Sequence, residues 1–290
     1  MPGYTLVSDS TCDISPELIA QLEIKIIPLT FHVGENTYLN LPDASTLPFD
    51  EFYNELRVGA TVSTSQINVV EFIEEFEKLL VEGQDVLYLA FSSGLSGTCN
   101  SACIAAEDLR EKYPQRRVIV VDSLAASMGE GLLAYHAAKM RQDGADIETV
   151  AQWLNDNKLH LAHWFTVDDL NHLKRGGRVS PALAFVGTLL GIKPVLHVDN
   201  DGHLIPISKV RGRRASLDAL VAKMKETCPN PQEQVIFISH GDAREDAEYV
   251  ANAVREQMHV REVFINYIGP VIGAHSGPGT IALFFLANGR

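Results

Sequence analysis

The sequence predicts an α/β protein in two domains: a parallel-sheet α/β domain over residues 1–157 and a mixed α+β domain over residues 158–290. Three observations predict it. The first half alternates short apolar runs with amphipathic ones, the rhythm of successive βαβ units. Its strand-like segments DVLYLAF and VIVV are apolar without interruption, as strands covered on both faces are. After Asn155–Lys158 strand-like segments follow one another with fewer helices between them, and Asn200-Asp201-Gly202 reads as a hairpin turn. At 290 residues the chain also exceeds the usual size of one domain.

In order, Tyr4–Val7 reads as the first strand and Pro16–Leu22 as the first helix, followed by the apolar run Ile24–Phe31. Asn36, between Val33 and Tyr38, marks a small hairpin. Val69–Val81 carries Phe72, Phe76, Leu79 and Leu80 on one stripe and Glu71, Glu74, Glu75 and Lys78 on the other, so it is an amphipathic helix. Val86–Phe91 and Val118–Val121 are strands, each followed by a helix, Cys99–Tyr113 and Met128–Arg141. In the second half His160–Val167, Lys193–Val198, His203–Val210, Gln234–His240, Val260–Tyr267 and Thr280–Ala287 read as strands, with helices at Arg214–Thr227 and Ala243–Gln257.

Hydrophobic residues make up 46% and charged ones 21%, an ordinary globular composition. The net charge of −13 argues against a sequence-independent hold on nucleic acid or anionic membrane, which needs clustered cations. The start MPGYTLVSDS has no basic region or long apolar stretch, and no later window is apolar enough to span a membrane, so a cytoplasmic protein without an integral membrane segment is expected. Cys12, Cys99, Cys103 and Cys228 form no C-x-x-C pair; Cys99 and Cys103, one helical turn apart, read as small buried residues rather than metal ligands. No metal and no cofactor is expected.

Chemistry collects at Ser92-Ser93-Gly94-Leu95-Ser96-Gly97-Thr98, between a strand and a helix. Glycines let backbone N–H groups converge, hydroxyls add donors, and the helix start adds unpaired N–H groups, so the run suits an anion. Ser8-Asp9-Ser10-Thr11 and Asp122-Ser123 stand at other strand ends and are expected on the same rim, with Ser63-Thr64-Ser65-Gln66 facing the same crevice. Each cluster alone also fits helix capping. Asp9 and Asp122 are open to two readings, a Mg²⁺ site or acceptors of local N–H groups. There is no G-x-x-x-x-G-K-[ST] and no G-x-S-x-G. Gly129-Glu130-Gly131-Leu132-Leu133-Ala134 fits G-x-G-x-x-A but lies several residues beyond its strand, where a dinucleotide fingerprint does not belong. Asp168–Arg178 ends a strand with acids and then presents Lys174, Arg175 and Arg178 around two glycines, either a solvated helix end or a docking surface. Lys209–Arg214 is a second basic cluster, suited to a phosphate-bearing ligand or an acidic partner. In Gly269–Thr280 the glycines permit close approach to a ligand, and His275, among small neighbours, reads as a ligand contact.

Asp9-Ser10-Thr11, Thr64-Ser65-Gln66, Ser92–Gly97, Asp169–Arg178, Gly187–Val195, and Gly269-Pro270 with His275 occur in that order, and together they resemble the DegV family over essentially the whole chain. The resemblance implies a long-chain fatty acid buried between the two domains. It also implies a substrate-presenting role, because the family includes the fatty-acid-binding subunit of bacterial fatty acid kinase, which offers the carboxylate to a separate ATP-binding subunit and yields an acyl phosphate. Carried over, Ser93 and Gly94, a hydroxyl of Ser63 or Thr64, and His275 hold the carboxylate, while Arg175 and Arg178 fall in the stretch used for partner docking. Gln66 is followed by Ile67 where a proline is often found.

The physical reading beside this is an apolar tunnel, each buried methylene contributing about 0.8 kcal/mol, with a head group oriented by neutral donors rather than held by a cation. On it the chain is not catalytic alone. Two other classes stand beside it: a stand-alone enzyme, using Asp9 or Asp122 with Mg²⁺ or Ser93 with His275, and a lipid sensor acting through a protein partner.

Overall fold

The computed structural model describes residues 3–179 and 191–290. In chain order its main elements are β1 (Tyr4–Asp9), α1 (Pro16–Leu22), β2 (Lys25–Ile27), β3 (Thr30–Val33), β4 (Asn36–Leu39), α2 (Phe49–Arg57), β5 (Val62–Ser65), α3 (Val69–Val81), β6 (Asp85–Ala90), α4 (Thr98–Lys112), β7 (Val118–Asp122), α5 (Met128–Gln142) and α6 (Ile147–Asn157). There follow β8 (Leu161–Thr166), α7 (Leu170–Arg175), β9 (Ile192–Val198), β10 (Leu204–Arg211), α8 (Arg213–Thr227), β11 (Val235–His240), α9 (Arg244–Met258), β12 (Glu262–Tyr267), α10 (Pro270–Ser276) and β13 (Ile281–Leu286).

Unbroken apolar strands go where both faces are covered. They form a parallel sheet in the order β2-β1-β6-β7. The order reverses between β1 and β6, so the crevice beyond their carboxyl ends is where an α/β sheet takes a ligand. The second half forms a mixed sheet, β10-β9-β8-β13-β11-β12, antiparallel except for the β11–β12 pair. Gly202, at φ +79, closes the β9–β10 hairpin that Asn200-Asp201-Gly202 predicts. A third, antiparallel sheet, β4-β3-β5, stands apart from both.

Helix α5 lies between the two large sheets and is buried nearly all round, as a helix without a wet face must be. Its glycines are packing residues: a Cβ on Gly129 would stand 2.8 Å from the Phe284 ring, and one on Gly131 2.6 Å from the Cys12 carbonyl oxygen. That is the physical content of the G-x-G-x-x-A match, which is part of a helix held between sheets. Asn68 and Glu71 form a reciprocal capping box at the start of α3.

Three readings need correction. The apolar run Ile24–Phe31 divides at Pro28, so that β2 extends the parallel sheet and β3 founds the small one. The glycine-rich Gly269–Thr280 opens with a helix, α10, because Pro270 occupies its first turn and Gly277 its end. Helices α2 and α6 stand outside the elements read from sequence, although Phe49, Phe52, Tyr53 and Leu56, and Ile147, Val150, Ala151 and Leu154 after the Asp146 cap, have helical spacing. Residues 187–190 of the Gly187–Val195 motif lie outside the described residues.

Candidate functional site

Between the sheets lies a cavity of about 410 Å³, within the range of small-molecule sites. Leu29, Phe91, Leu95, Leu173, Val271 and Ile272 supply much of its apolar wall. At one end it meets a second cleft of about 500 Å³, the two sharing Thr64, Arg178 and His275. Those three residues form the mouth.

Strand alternation decides which hydroxyl of Ser63-Thr64-Ser65 faces inward. On β5, Val62 and Thr64 are half-buried, whereas Ser63 and Ser65 are exposed. Thr64 Oγ1 is 2.9 Å from His275 Nε2. Ser65 and Gln66 continue along the cavity edge, but Ser63 lines only the outer cleft. His275 is delivered by the last turn of α10, and burial, with the Arg178 guanidinium second, pulls its pKa down to about 4. It is therefore neutral near pH 7, able to donate from one ring nitrogen and accept at the other.

The run Ser92–Thr98 divides in two. Ser96 and Gly97 line the cavity at the N-terminus of α4; the Ser96 hydroxyl is 2.9 Å from Thr98 Oγ1 and accepts from the Thr98 N–H. The Thr98 N–H is thereby capped by Ser96, and the partial positive charge of the helix start lies beside the cavity wall. Ser93 and Gly94 lie elsewhere. Ser93 is exposed and its N–H donates to Asp122 Oδ1. A Cβ on Gly94 would stand 2.6 Å from the Asp201 carbonyl oxygen, and the Ser92 hydroxyl donates to the Gly202 carbonyl at 2.9 Å. This front half of the run docks the β9–β10 hairpin. Of the carboxylate-binding set carried over from the resemblance, the structure brings Thr64 and His275 together and leaves Ser63, Ser93 and Gly94 outside the cavity wall. Of that run, the cavity wall holds Leu95, Ser96 and Gly97.

The arginines also separate. Arg178 is half-buried at the mouth, donating to the Leu95 and Gly176 carbonyls. Arg175 is exposed in the outer cleft, beside His172. The mouth therefore has a cation as well as neutral donors, contrary to the expectation of neutral donors alone.

The strand-end acids do not join this rim. Asp9 is buried; it accepts from the Thr11 N–H and hydroxyl, the Tyr88 hydroxyl and the Phe91 N–H. Thr11 Oγ1 also lies 2.9 Å from Glu130 Oε2, and one hydroxyl proton cannot serve two carboxylates. Burial raises the pKa of both acids, so the missing proton sits on a carboxyl. Asp122 accepts from the Ser93 and Leu124 N–H groups, which makes it a loop brace. Asp13 spans the two halves of the chain. It accepts from the Gly269 N–H at 2.9 Å and from the Ser127 hydroxyl at 2.5 Å, and Ser127 lies 2.8 Å from the Ser239 hydroxyl. Burial pushes its pKa up to about 8.

Among the described residues, the grouping that could hold a metal ion is Asp199, Asp201 and His203 at the β9–β10 turn, outside the cavity wall, and the Asp199 carboxylate already accepts the N–H groups of the other two. Arg213 of the second basic cluster is paired with Asp168 and Asp246, and Arg214 stacks on the Tyr249 ring. No helix among the described residues is long and apolar enough to cross a membrane.

Comparison with known proteins gives a consistent set. The family model for the uncharacterised proteins of the DegV family matches residues 4–288. A DegV domain-containing protein of Clostridium perfringens is 45% identical over 288 residues, covering 99% of each chain. A DegV lipid-binding protein from Thermotoga maritima superposes with a TM-score of 0.87 at 32% identity, over 99% of each chain. A DegV family protein from Thermus thermophilus, solved for its fatty acid binding, gives a TM-score of 0.89 at 29% identity, over 99% of this chain and 100% of that one.

Proposed function

The chain belongs to the DegV family, and on that premise we propose that it holds one long-chain fatty acid in the cavity and presents the carboxylate to a separate ATP-binding kinase subunit. The observation that carries the reading is the mouth: a cavity with a largely apolar wall whose edge, shared with the outer cleft, holds Thr64, His275 and Arg178, with Ser96 and Gly97 also on the wall. The relatives described as lipid- and fatty-acid-binding proteins support it.

In this reading the acyl chain supplies the affinity, about 0.8 kcal/mol for each methylene removed from water, and the mouth supplies orientation. Thr64, Ser96 and the α4 N-terminus donate to the carboxylate. Neutral His275, bonded to Thr64, donates from one nitrogen without claiming the charge. The outer cleft shares the mouth's walls and carries Arg175 and His172, so a phosphoryl group delivered there by a partner meets a carboxylate oxygen. That oxygen forms the new bond to phosphorus and ADP leaves. Arg175 serves docking, and Arg178, from its place at the mouth, serves both tasks. The seam between the proposed domains, near residue 157, is then the line across which the lipid lies.

Native mass spectrometry of gently purified protein, followed by lipid extraction, tests the reading. One bound long-chain acid per chain is expected. Consistently empty protein that takes up no added fatty acid overturns it.

A further inference from the structure

A carboxylate and a plain alkyl chain leave part of the cavity wall without a purpose. On β8 the side chains alternate: Leu161 and Phe165 join the core shared with α5, while Ala162 and Trp164 face α8. His163 falls on the first face and lines the cavity. It is only 4% exposed; its Nδ1, itself sealed from the cavity, has no hydrogen-bond partner among the described residues, which leaves Nε2 as the ring nitrogen a ligand can reach. Its neighbours are the rings of Phe165 and Phe284, with centroids 5.6 and 4.6 Å away. Ser276 repeats the pattern: 6% exposed, on the cavity wall, its hydroxyl without a partner among the described residues. A buried polar group left unpaired costs about 1–3 kcal/mol, and a phenylalanine or leucine would fill an apolar wall without that penalty.

The strand register gives the depth. Thr166 pairs with Ile281, next to Thr280, whose hydroxyl donates to the Ser276 carbonyl at the end of the helix bearing His275. His163 precedes Thr166 by three residues, so the imidazole stands roughly 10 Å further along the strand, several methylenes from the carboxylate end.

We propose that the cavity accepts an acyl chain bearing a single mid-chain oxygen function, a hydroxyl or keto group, with the His163 imidazole as its hydrogen-bond partner. The inference deepens the fatty-acid reading and rests on it. Burial holds the His163 pKa well below the usual histidine range, so the ring is neutral and its Nε2 donates or accepts according to the tautomer. A hydroxyl can use either, a keto oxygen the donor.

The test is competition binding of stearic acid and a series of positional hydroxystearic acids, substituted from the carboxyl end to the methyl end, to the full chain. An affinity optimum at mid-chain positions is expected, with those isomers binding at least as tightly as stearic acid. In His163→Phe the mid-chain isomers should weaken about tenfold relative to stearic acid measured on the same variant, the worth of one hydrogen bond left unmade. A profile without a mid-chain optimum in the wild-type chain overturns the inference, as does an optimum that survives His163→Phe. If that variant does not fold, the wild-type series decides alone. Failure of stearic acid itself to bind overturns the fatty-acid reading and this inference with it, whereas stearic acid binding without the optimum removes the inference only.

Discussion

Two regions of this molecule are made of the same residue types and do opposite things. At the seam between the halves, Ser92, Gly94 and Asp13 bind other parts of the protein: the β9–β10 hairpin, the start of α10 and, through Ser127 on the cavity wall, Ser239. At the mouth, Thr64, Ser96, Gly97 and His275 face a cavity. Serines and glycines therefore do not mark a ligand site by themselves. A hydroxyl whose partner is a fixed carbonyl is spent on architecture, and one that faces open space beside a helix start is free for chemistry.

If the seam is architecture, changes there should move stability, and the largest effect should be its pH dependence. The native pKa of Asp13 is about 8 against an ordinary 3.8. The native state thus binds this proton more tightly than the unfolded chain, so the contribution is fully present below about pH 4 and is lost as the pH rises through 8. Urea midpoints should fall from pH 5 to pH 9, and Asp13→Asn should flatten that fall, though Asp9 and Glu130, also raised by burial, retain part of it. Equal slopes in the two proteins would deny Asp13 this place.

At the mouth, Thr64→Val keeps the side-chain volume and removes the hydroxyl. Fatty-acid affinity should drop about 10- to 100-fold by titration, the loss of a hydrogen bond to a charged group, while the empty protein loses no more than about 1 kcal/mol, the worth of the Thr64–His275 hydrogen bond. A melting point that falls in step with affinity would erase the distinction between the regions.

Gly94→Ala should show the reverse. A Cβ there meets backbone, so about 1–3 kcal/mol of stability should be lost by denaturant titration, with little change in affinity for the folded protein. The smallest effect is expected from Ser93→Ala, exposed and engaged only through its backbone N–H: within about 0.5 kcal/mol of wild type in stability, and unaltered in binding. A loss of binding in Ser93→Ala alone would return the carboxylate to the front half of the run.

The architecture was legible because it rests on periodicity. DVLYLAF and VIVV could only be covered strands, and Asn200-Asp201-Gly202 could only be a tight turn. The site was legible as a set of segments but not as a set of side chains. Whether Ser63 or Thr64 points inward depends on the register of β5 against β3, a long-range pairing that one sequence does not disclose. That Ser96 and Gly97 line the cavity, and Ser93 and Gly94 do not, follows from where α4 begins, at Thr98: the residues just before a helix start are the ones that face the space ahead of it. His163 gave no signal, since a histidine in an apolar strand looks the same whether its nitrogens are paired or bare.

The walls of the cavity come from nearly the full span of the chain, from Leu29 to Ala282. Contacts of such separation form late in folding, after the local βαβ units have assembled. While the chain is being synthesised, its N-terminal part can build the parallel sheet and still have nowhere to put a lipid, because β8, α10 and β13 have yet to emerge. On the proposed function, lipid capture is reserved for the finished molecule, and a captured ligand favours the folded state by a factor set by its concentration over its dissociation constant.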